Sequence, residues 1–385
     1  MQLEPVLDTL AELIRIKSVN PNYDDGVSEA EITGYIESFF TKHGIETRRQ
    51  NVIADRDNLI ATIPGIDRSR RIIFEAHVDT VSALEMSIAP FQPLVRDGKM
   101  HGRGSCDTKG GLAAMMHAMV SLHQQEKSPP CEVWFVAAVD EEFSYRGVAE
   151  LCRELDASTT LAAIVAEPTE LRSVIASKGL VRWVIRTEGV AAHSAKPHLG
   201  NNAIEQMAYI IQAIERDTSA MAATDHPLLG SATCNVGLIR GGIQINLVPP
   251  HCEIELDRRM LPGETPEGVL AHYQTLLDGV MAHNPQIRAT MLPPMLTDVP
   301  LETPVESDAV RQMQGVLSSL DLNPEPIGVP FCSDASKFGQ LGIPSMILGP
   351  GNIDQAHANN EFVDCRQVLQ ACKVYQRFMT DAFNE

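Results

Sequence analysis

Five short stretches of this sequence carry side chains able to do chemistry. The first is Arg71 to Thr80, R-I-I-F-E-A-H-V-D-T. Residues two apart on an extended chain share a face. His77 and Asp79 therefore point the same way at the end of an apolar run. An imidazole there can bind a metal, and a carboxylate beside it can orient the ring. The second stretch is H-G-R-G-S-C-D-T-K-G-G, residues 101–111. It is glycine-rich, but Lys109 is followed by Gly110 and not by Ser or Thr, so it is no phosphate loop. It reads as a tight turn that presents Asp107 and starts a helix over 112–123. Asp107 has two oxygens, enough to bridge two cations, and it is equally placed to cap that helix. The third is Asp140-Glu141-Glu142, which ends the apolar run 131–139. Carboxylates so close repel one another unless solvent or cations relieve them. The fourth is Glu167, after the apolar run 161–166, and the fifth is His357 in D-Q-A-H-A-N-N-E, after Gly349-Pro350-Gly351.

The elements that must position these groups follow from periodicity. Three apolar, β-favouring runs end in His/Asp, Glu/Glu and Glu. In open α/β sheets, ligands gather beyond the carboxyl ends of strands, so the three ends predict one site. Helical spacing predicts helices over 5–16, 29–43 and 112–123, and strands fall near 45–52 and 58–63. From Leu180 the texture changes to strand alternation (Val181, Trp183, Ile185, Thr187). A helix over 203–214, strands near 233–239 and 252–258, and a helix over 266–280 follow. Such an order suggests a small α+β sandwich inserted into the first domain. Helices over 307–320 and 366–383 and a strand over 344–348 return the chain to that domain. The expected division is 1–179 with 295–385, and 180–294 for the insertion.

A chain of 385 residues suffices for one large or two medium domains with a sizeable core. Its 44% hydrophobic and 21% charged residues are ordinary for a globular protein. A formal net charge of −19 argues against nucleic acid and anionic membranes as partners. Eight scattered cysteines with no C-x-x-C pair fit a reducing compartment and no thiolate zinc site. No window reaches the roughly 18 apolar residues of a membrane span. No basic-then-apolar N-terminal pattern marks a signal peptide. The expected location is the cytoplasm.

In order and strand context, A-H-V-D-T, G-R-G-S-C-D-T-K-G-G, D-E-E, A-E-P-T and the late His357 resemble the M20 metallopeptidases and deacylases over nearly the full length. The resemblance implies a zinc-peptidase-like α/β domain with a central mixed sheet flanked by helices, and an inserted α+β lid or dimerisation domain. It implies two divalent cations, Zn²⁺ first and Co²⁺ second. His77 and Glu167 would hold one and Glu142 and His357 the other, with Asp107 between them. Asp79 would orient His77, and Glu141 would be the general base. His193 matches a residue that reaches the active site on closure, in relatives often from the partner subunit, so a homodimer through the inserted domain is expected. Asn246 and Arg258 match positions that hold a substrate carboxylate, with Arg259 on the opposite strand face. Gly351 of the G-P-G turn completes the expected substrate contacts.

The family hydrolyses amide bonds of N-acyl amino acids or short peptides with a free carboxylate. The segment F-C-S-D-A, Phe331 to Ala335, is similar to acetylornithine deacetylases, so that activity, in arginine biosynthesis, is the first expectation. Asp334 could receive the ornithine ammonium or cap the helix that follows. A desuccinylase, an M20 carboxypeptidase or dipeptidase, or a non-catalytic metal-binding module are the alternatives. In one departure, the loop 84–91 lacks the tryptophan common before the P-F pair.

Overall fold

A computed structural model describes residues 4–125, 128–221 and 225–384. The chain parts into two compact units. The first comprises Met1–Ile175, Glu302–Ile327 and Ser333–Glu385, and the second Ala176–Leu301 with Gly328–Cys332. The second unit thus starts earlier and ends later than the segment 180–294 marked by the change in sequence texture.

The first unit is built on a mixed sheet with helices on both faces. Its strands are β1 (Glu46–Ile53), β2 (Arg56–Ile63), β3 (Asp67–His77), β4 (Cys131–Ala138) and β5 (Thr160–Val165). They lie in the order β1-β2-β4-β3-β5, and the strand Ser345–Ile347 lies next to β5. β3 runs parallel to both β4 and β5, while β2 is antiparallel to β4. The C-terminal ends of β3, β4 and β5 therefore meet at one edge of the sheet. Ile72, Phe74 and Ala76 alternate onto one face and join a large apolar core. That face is covered by α1 (Pro5–Arg15), α2 (Ala30–Lys42), α3 (Gly110–His123) and the C-terminal helix Cys365–Asp381. α3 is apolar almost all round because it is buried almost all round, and the C-terminal helix packs along it. The other face carries the helices Arg146–Glu154 and Ala335–Gln340. Ile73 and Glu75 point that way by strand alternation.

The second unit is an antiparallel sheet with two helices. β6 (Gly179–Glu188) and β8 (His251–Met260) pair along their length, and β7 (Thr233–Gly241) pairs with β8 on the outside. α4 (Ala203–Met221) and α5 (Pro266–His283) cover one face. Thr265 caps α5 by accepting from Gly268 N at 3.1 Å, and Pro266 occupies its first turn. Trp183 and Tyr273 stack with ring centroids 4.8 Å apart in this core. No described helix is long and apolar enough to cross a membrane.

Candidate metal centre

β3 ends by delivering His77 into the first unit's interior, where it is 2% exposed. Its Nδ1 lies 3.0 Å from the Asp79 main-chain oxygen and 3.7 Å from the Asp79 carboxylate. A proton on Nδ1 leaves the Nε2 lone pair facing inward. There Nε2 lies 3.0 Å from Asp107 Oδ1 and 3.7 Å from Glu167 Oε1. The Asp79 carboxylate has further partners: it accepts from Asn20 Nδ2 at 2.7 Å and from Glu141 N and Glu142 N at 3.1 Å each. Asp79 thus steadies His77 mainly through its backbone, and its side chain holds the turn that carries the two glutamates.

That turn begins where β4 ends. Asp140 takes a left-handed φ of 69°, which swings Glu141 and Glu142 out of the strand direction. Its carboxylate is buried and accepts from Asn20 at 2.9 Å, Arg56 at 2.8 Å, Ser144 at 2.6 Å and Arg146 at 2.5 Å. The first of the three acids is therefore structural, as a buried carboxylate with such partners must be. Glu142 reaches His357, whose Nε2 lies 3.2 Å from Glu142 Oε2 and 3.2 Å from Asp107 Oδ2. His357 itself has φ of 59° in the loop after the Ser345–Ile347 strand. Glu167 follows β5, with Thr108 Oγ1 donating to the neighbouring Ala166 carbonyl at 2.8 Å. Asp107 makes no cap for α3, which starts at Gly110, so the capping alternative is not what the fold uses.

Two groups emerge, His77-Asp107-Glu167 and Asp107-Glu142-His357, each with donor atoms within 4.8 Å of one another. Asp107 belongs to both, one oxygen toward each imidazole. The electrostatics are those of a centre with too much negative charge. Burial pushes Glu141 and Glu167 well above the usual carboxylate range, with further pressure on Glu167 from Asp107. Burial also raises Glu142, again with Asp107 adding to the push. Hydrogen bonds to Asp107 and Glu142 carry His357 up to about 11. Burial opposes Asp107, but its bonds to His357 and His77 outweigh it and hold the carboxyl below its usual range. Three carboxylates and two imidazole Nε2 atoms form a donor set that divalent cations of the zinc type accept. Cations there would relieve the mutual repulsion, so the residues fit.

Other expected site residues are placed less uniformly. Asp334 is 1% exposed. It faces Glu75, equally buried, whose carboxyl when protonated is its hydrogen-bond donor, and burial raises both carboxyls, Asp334 to about 6. It stands at the N-cap position of the helix Ala335–Gln340, but its side chain makes no cap hydrogen bond. Gly351 has φ of 95°, and a Cβ there would run into Cys106 Sγ. Its N–H donates to Gln367 at 2.7 Å and its carbonyl accepts from Glu170 N at 2.7 Å, so it is a pinned turn in the loop. Cys106 is fully buried, burial pushes its thiol up, and it packs as a small apolar group.

In the second unit, His193 and Asn246 come together. Ser194 N donates to the Asn246 carbonyl at 3.0 Å, and both His193 and Asn246 are exposed. His193 Nδ1 accepts from Ala195 N at 3.1 Å, which leaves Nε2 for another partner. Arg258 is a correction. The alternation of β8 puts it on the helix-covered face with Cys252, Ile254, Leu256 and Met260. There it is 3% exposed and bonded to Glu264 at 2.6 Å. Arg259 lies on the open face of the same strand, beside Asp257 at 2.7 Å.

The pattern of peptidase family M20/M25/M40 matches residues 73–381. The chain belongs to that family. It is similar to an acetylornithine deacetylase of Photorhabdus laumondii, with 30% identity over 381 residues covering 94% of each chain. Among solved structures it is similar to the aminopeptidase PepT of Bacillus cereus, with a TM-score of 0.79, 22% identity and 97% of each chain covered. It is also similar to an M20 family metallo-carboxypeptidase of Sulfolobus solfataricus, with a TM-score of 0.78, 20% identity and 98% and 99% of the two chains covered. This M20 protein is a metal-dependent hydrolase. Sequence reasoning passed over Asn20, Glu75 and Glu361 and read Asp140 only as one of three clustered acids; all four shape this M20 site without belonging to either group. Asn20 and Asp140 are linked across 120 positions, and no local pattern announces such a contact.

Proposed function

We propose that this enzyme hydrolyses the amide bond of N-acyl amino acids, in the manner of an acetylornithine deacetylase, with two divalent cations at the site. His77 and Glu167 would hold one, Glu142 and His357 the other, and Asp107 both. The observation that carries this reading is the division of the Asp107 oxygens between His77 and His357. Zinc is the cation we expect first, with cobalt a working substitute. Bound there, the pair would acidify a water and polarise the substrate carbonyl.

The chain's own residues do the rest. Glu141 belongs to neither group, and its main chain is pinned by Asp79. It is free to take a proton from the attacking water and to deliver it to the departing amine nitrogen. Burial raises its carboxyl, which suits a group that must both accept and return a proton. His193 keeps Nε2 for a further partner, and the family resemblance gives it the developing oxyanion. For the substrate carboxylate we assign Arg259, with Asn246, because the Arg258 guanidinium is bonded to Glu264 on the core side of the strand.

The outer edge of β7 has no partner strand among the described residues, and Leu238 and Ile239 on it are 47% and 54% exposed. Nearby Ile243 and Ile245 are 64% and 102% exposed. An open apolar edge calls for cover. A second copy of this chain, through the inserted unit, is the occupant we assign. Eight free cysteines suit a reducing cytoplasm, and the ornithine-type substrate would place the enzyme in arginine biosynthesis.

The test is amine release from N-acetylornithine, other N-acetyl amino acids, N-succinyl-diaminopimelate and dipeptides, each with and without chelator. Chelator-sensitive release that peaks on N-acetylornithine is the expected result. A peak on the succinyl substrate or on dipeptides would keep the chemistry and replace the substrate. Release that ignores chelator would overturn the two-cation reading.

A further inference from the structure

The turn that carries Asp107 is held by a residue outside both candidate groups. Glu361 follows His357 by four positions in the N-N-E segment and is 1% exposed. Its carboxylate accepts four hydrogen bonds from residues 103–107. Oε2 takes Arg103 Nη1 at 2.8 Å and Gly104 N at 2.9 Å. Oε1 takes Cys106 N at 2.8 Å and Asp107 N at 3.1 Å. Its main-chain oxygen also accepts from Gly102 N at 3.1 Å.

Backbone N–H groups that converge on one anion make a nest. Here the anion is a side chain of the protein itself. The turn that forms the nest leaves little latitude: Gly104 has φ of +80°, and a Cβ there would stand 2.9 Å from Thr80 Cγ2 and 3.0 Å from Lys109 Cδ. A buried ion pair with Arg103 alone would account for one oxygen of Glu361. It does not account for the other, which is given to the main chain at Cys106 and Asp107.

We propose that Glu361 is a positioning residue for the shared carboxylate: it fixes the backbone from which Asp107 divides its oxygens between His77 and His357. The proposal rests on the reading of Asp107 as a ligand of both cations. It also explains why Glu361 and His357 share one segment. The segment that brings the last imidazole brings the carboxylate that sets the bridge opposite it.

Glu361→Gln is the deciding variant. It keeps the shape but offers one carbonyl oxygen and turns an NH₂ toward N–H donors. We expect a folded protein whose zinc affinity, measured by competition with a chromophoric chelator, falls about 10- to 100-fold. The absorption bands of the cobalt-loaded form should shift with it. Glu361→Asp keeps both oxygens on a shorter arm and should lose less. Asn360→Ala removes the neighbouring contact to His101, 3.1 Å long, and should leave affinity and spectrum unchanged. A folded Glu361→Gln protein with wild-type affinity and spectrum would overturn the proposal. An equal loss in Asn360→Ala would do so too, because the segment and not the carboxylate would then be at work. If Glu361→Gln does not fold, the same two criteria apply to Glu361→Asp. Wild-type protein that takes up no pair of cations would instead overturn the shared-ligand reading, and this proposal with it.

Discussion

Asp107, with one oxygen on each imidazole, leaves Glu141 as the nearby acid with no place in either group. Glu141→Gln should therefore separate chemistry from binding. Turnover should fall by at least about 10²-fold, while zinc content measured by atomic emission stays at the wild-type level. Loss of zinc in step with activity would mean that Glu141 is a ligand. A second prediction concerns Asp334. Its carboxyl sits near 6 in the fold against 3.8 in the open chain. Between those values the folded state holds more protons, so its contribution to stability falls as pH rises through that window. Asp334→Asn removes the penalty and supplies an N–H to Glu75, so at pH 8 it should gain about 1–3 kcal/mol, read as a raised melting temperature. Unchanged ornithine selectivity in that variant would mean that Asp334 stays clear of the substrate. Most of the residues that meet at the centre were legible because each ends an apolar run or sits beside a glycine turn. Arg258 and Arg259 were not, because adjacent strand residues differ only in facing, and facing depends on which side the helices cover.

Elements were easier to read than their junctions. The strands at 131–139 and 161–166, α1, α2 and the C-terminal helix stand within a residue or two of their expected bounds, since each has a full period of apolar residues, whereas β3 starts at Asp67, four residues before the stretch read from Arg71. The helix Arg146–Glu154 escaped notice. It buries only Gly147, Val148 and Leu151, too few for a visible stripe, and it follows directly on the acidic turn. At this scale α1 and α3 are joined by Thr9 Oγ1 and His117 Nε2, 2.8 Å apart. Burial, helped by His43, pushes His117 down to about 4. The unfolded chain binds its proton near 6.5, so the contribution of neutral His117 is complete above that value and is lost as pH falls toward 4. Melting temperatures between pH 7 and pH 4.5 should fall more steeply for wild type than for His117→Gln. The difference in slope should approach about 1.4 kcal/mol per pH unit at most. Parallel curves would mean that the imidazole takes up its proton as readily in the fold as in the open chain.

For the whole molecule, the change of texture near residue 180 announced a second unit, but no linker composition marked its edges. The structure draws them at Ala176 and Leu301 and adds Gly328–Cys332, which arrives from a later part of the chain. Sequence cannot show such a return. The open edge of β7 yields the fourth prediction. If the proposed second copy covers that edge, wild type should sediment as a dimer and Ile239→Asp as a monomer in analytical ultracentrifugation, while cation content in the first unit stays unchanged. A wild-type protein that sediments as a monomer would remove the second copy from the site's description.

The strand Ser345–Ile347 lies against β5, and His357 and Glu361 follow it, whereas His77 and Asp107 were laid down long before. The ribosome must therefore release nearly the entire chain before the centre can close. Until then the nascent protein carries half a chelate, with β5 lacking its neighbour and exposed to wrong pairings. Contacts of such long sequence separation form slowly. Completion of the second group is accordingly the last act of maturation: a chain stopped at residue 344 should emerge with four of its five donors and with only the His77-Asp107-Glu167 group entire.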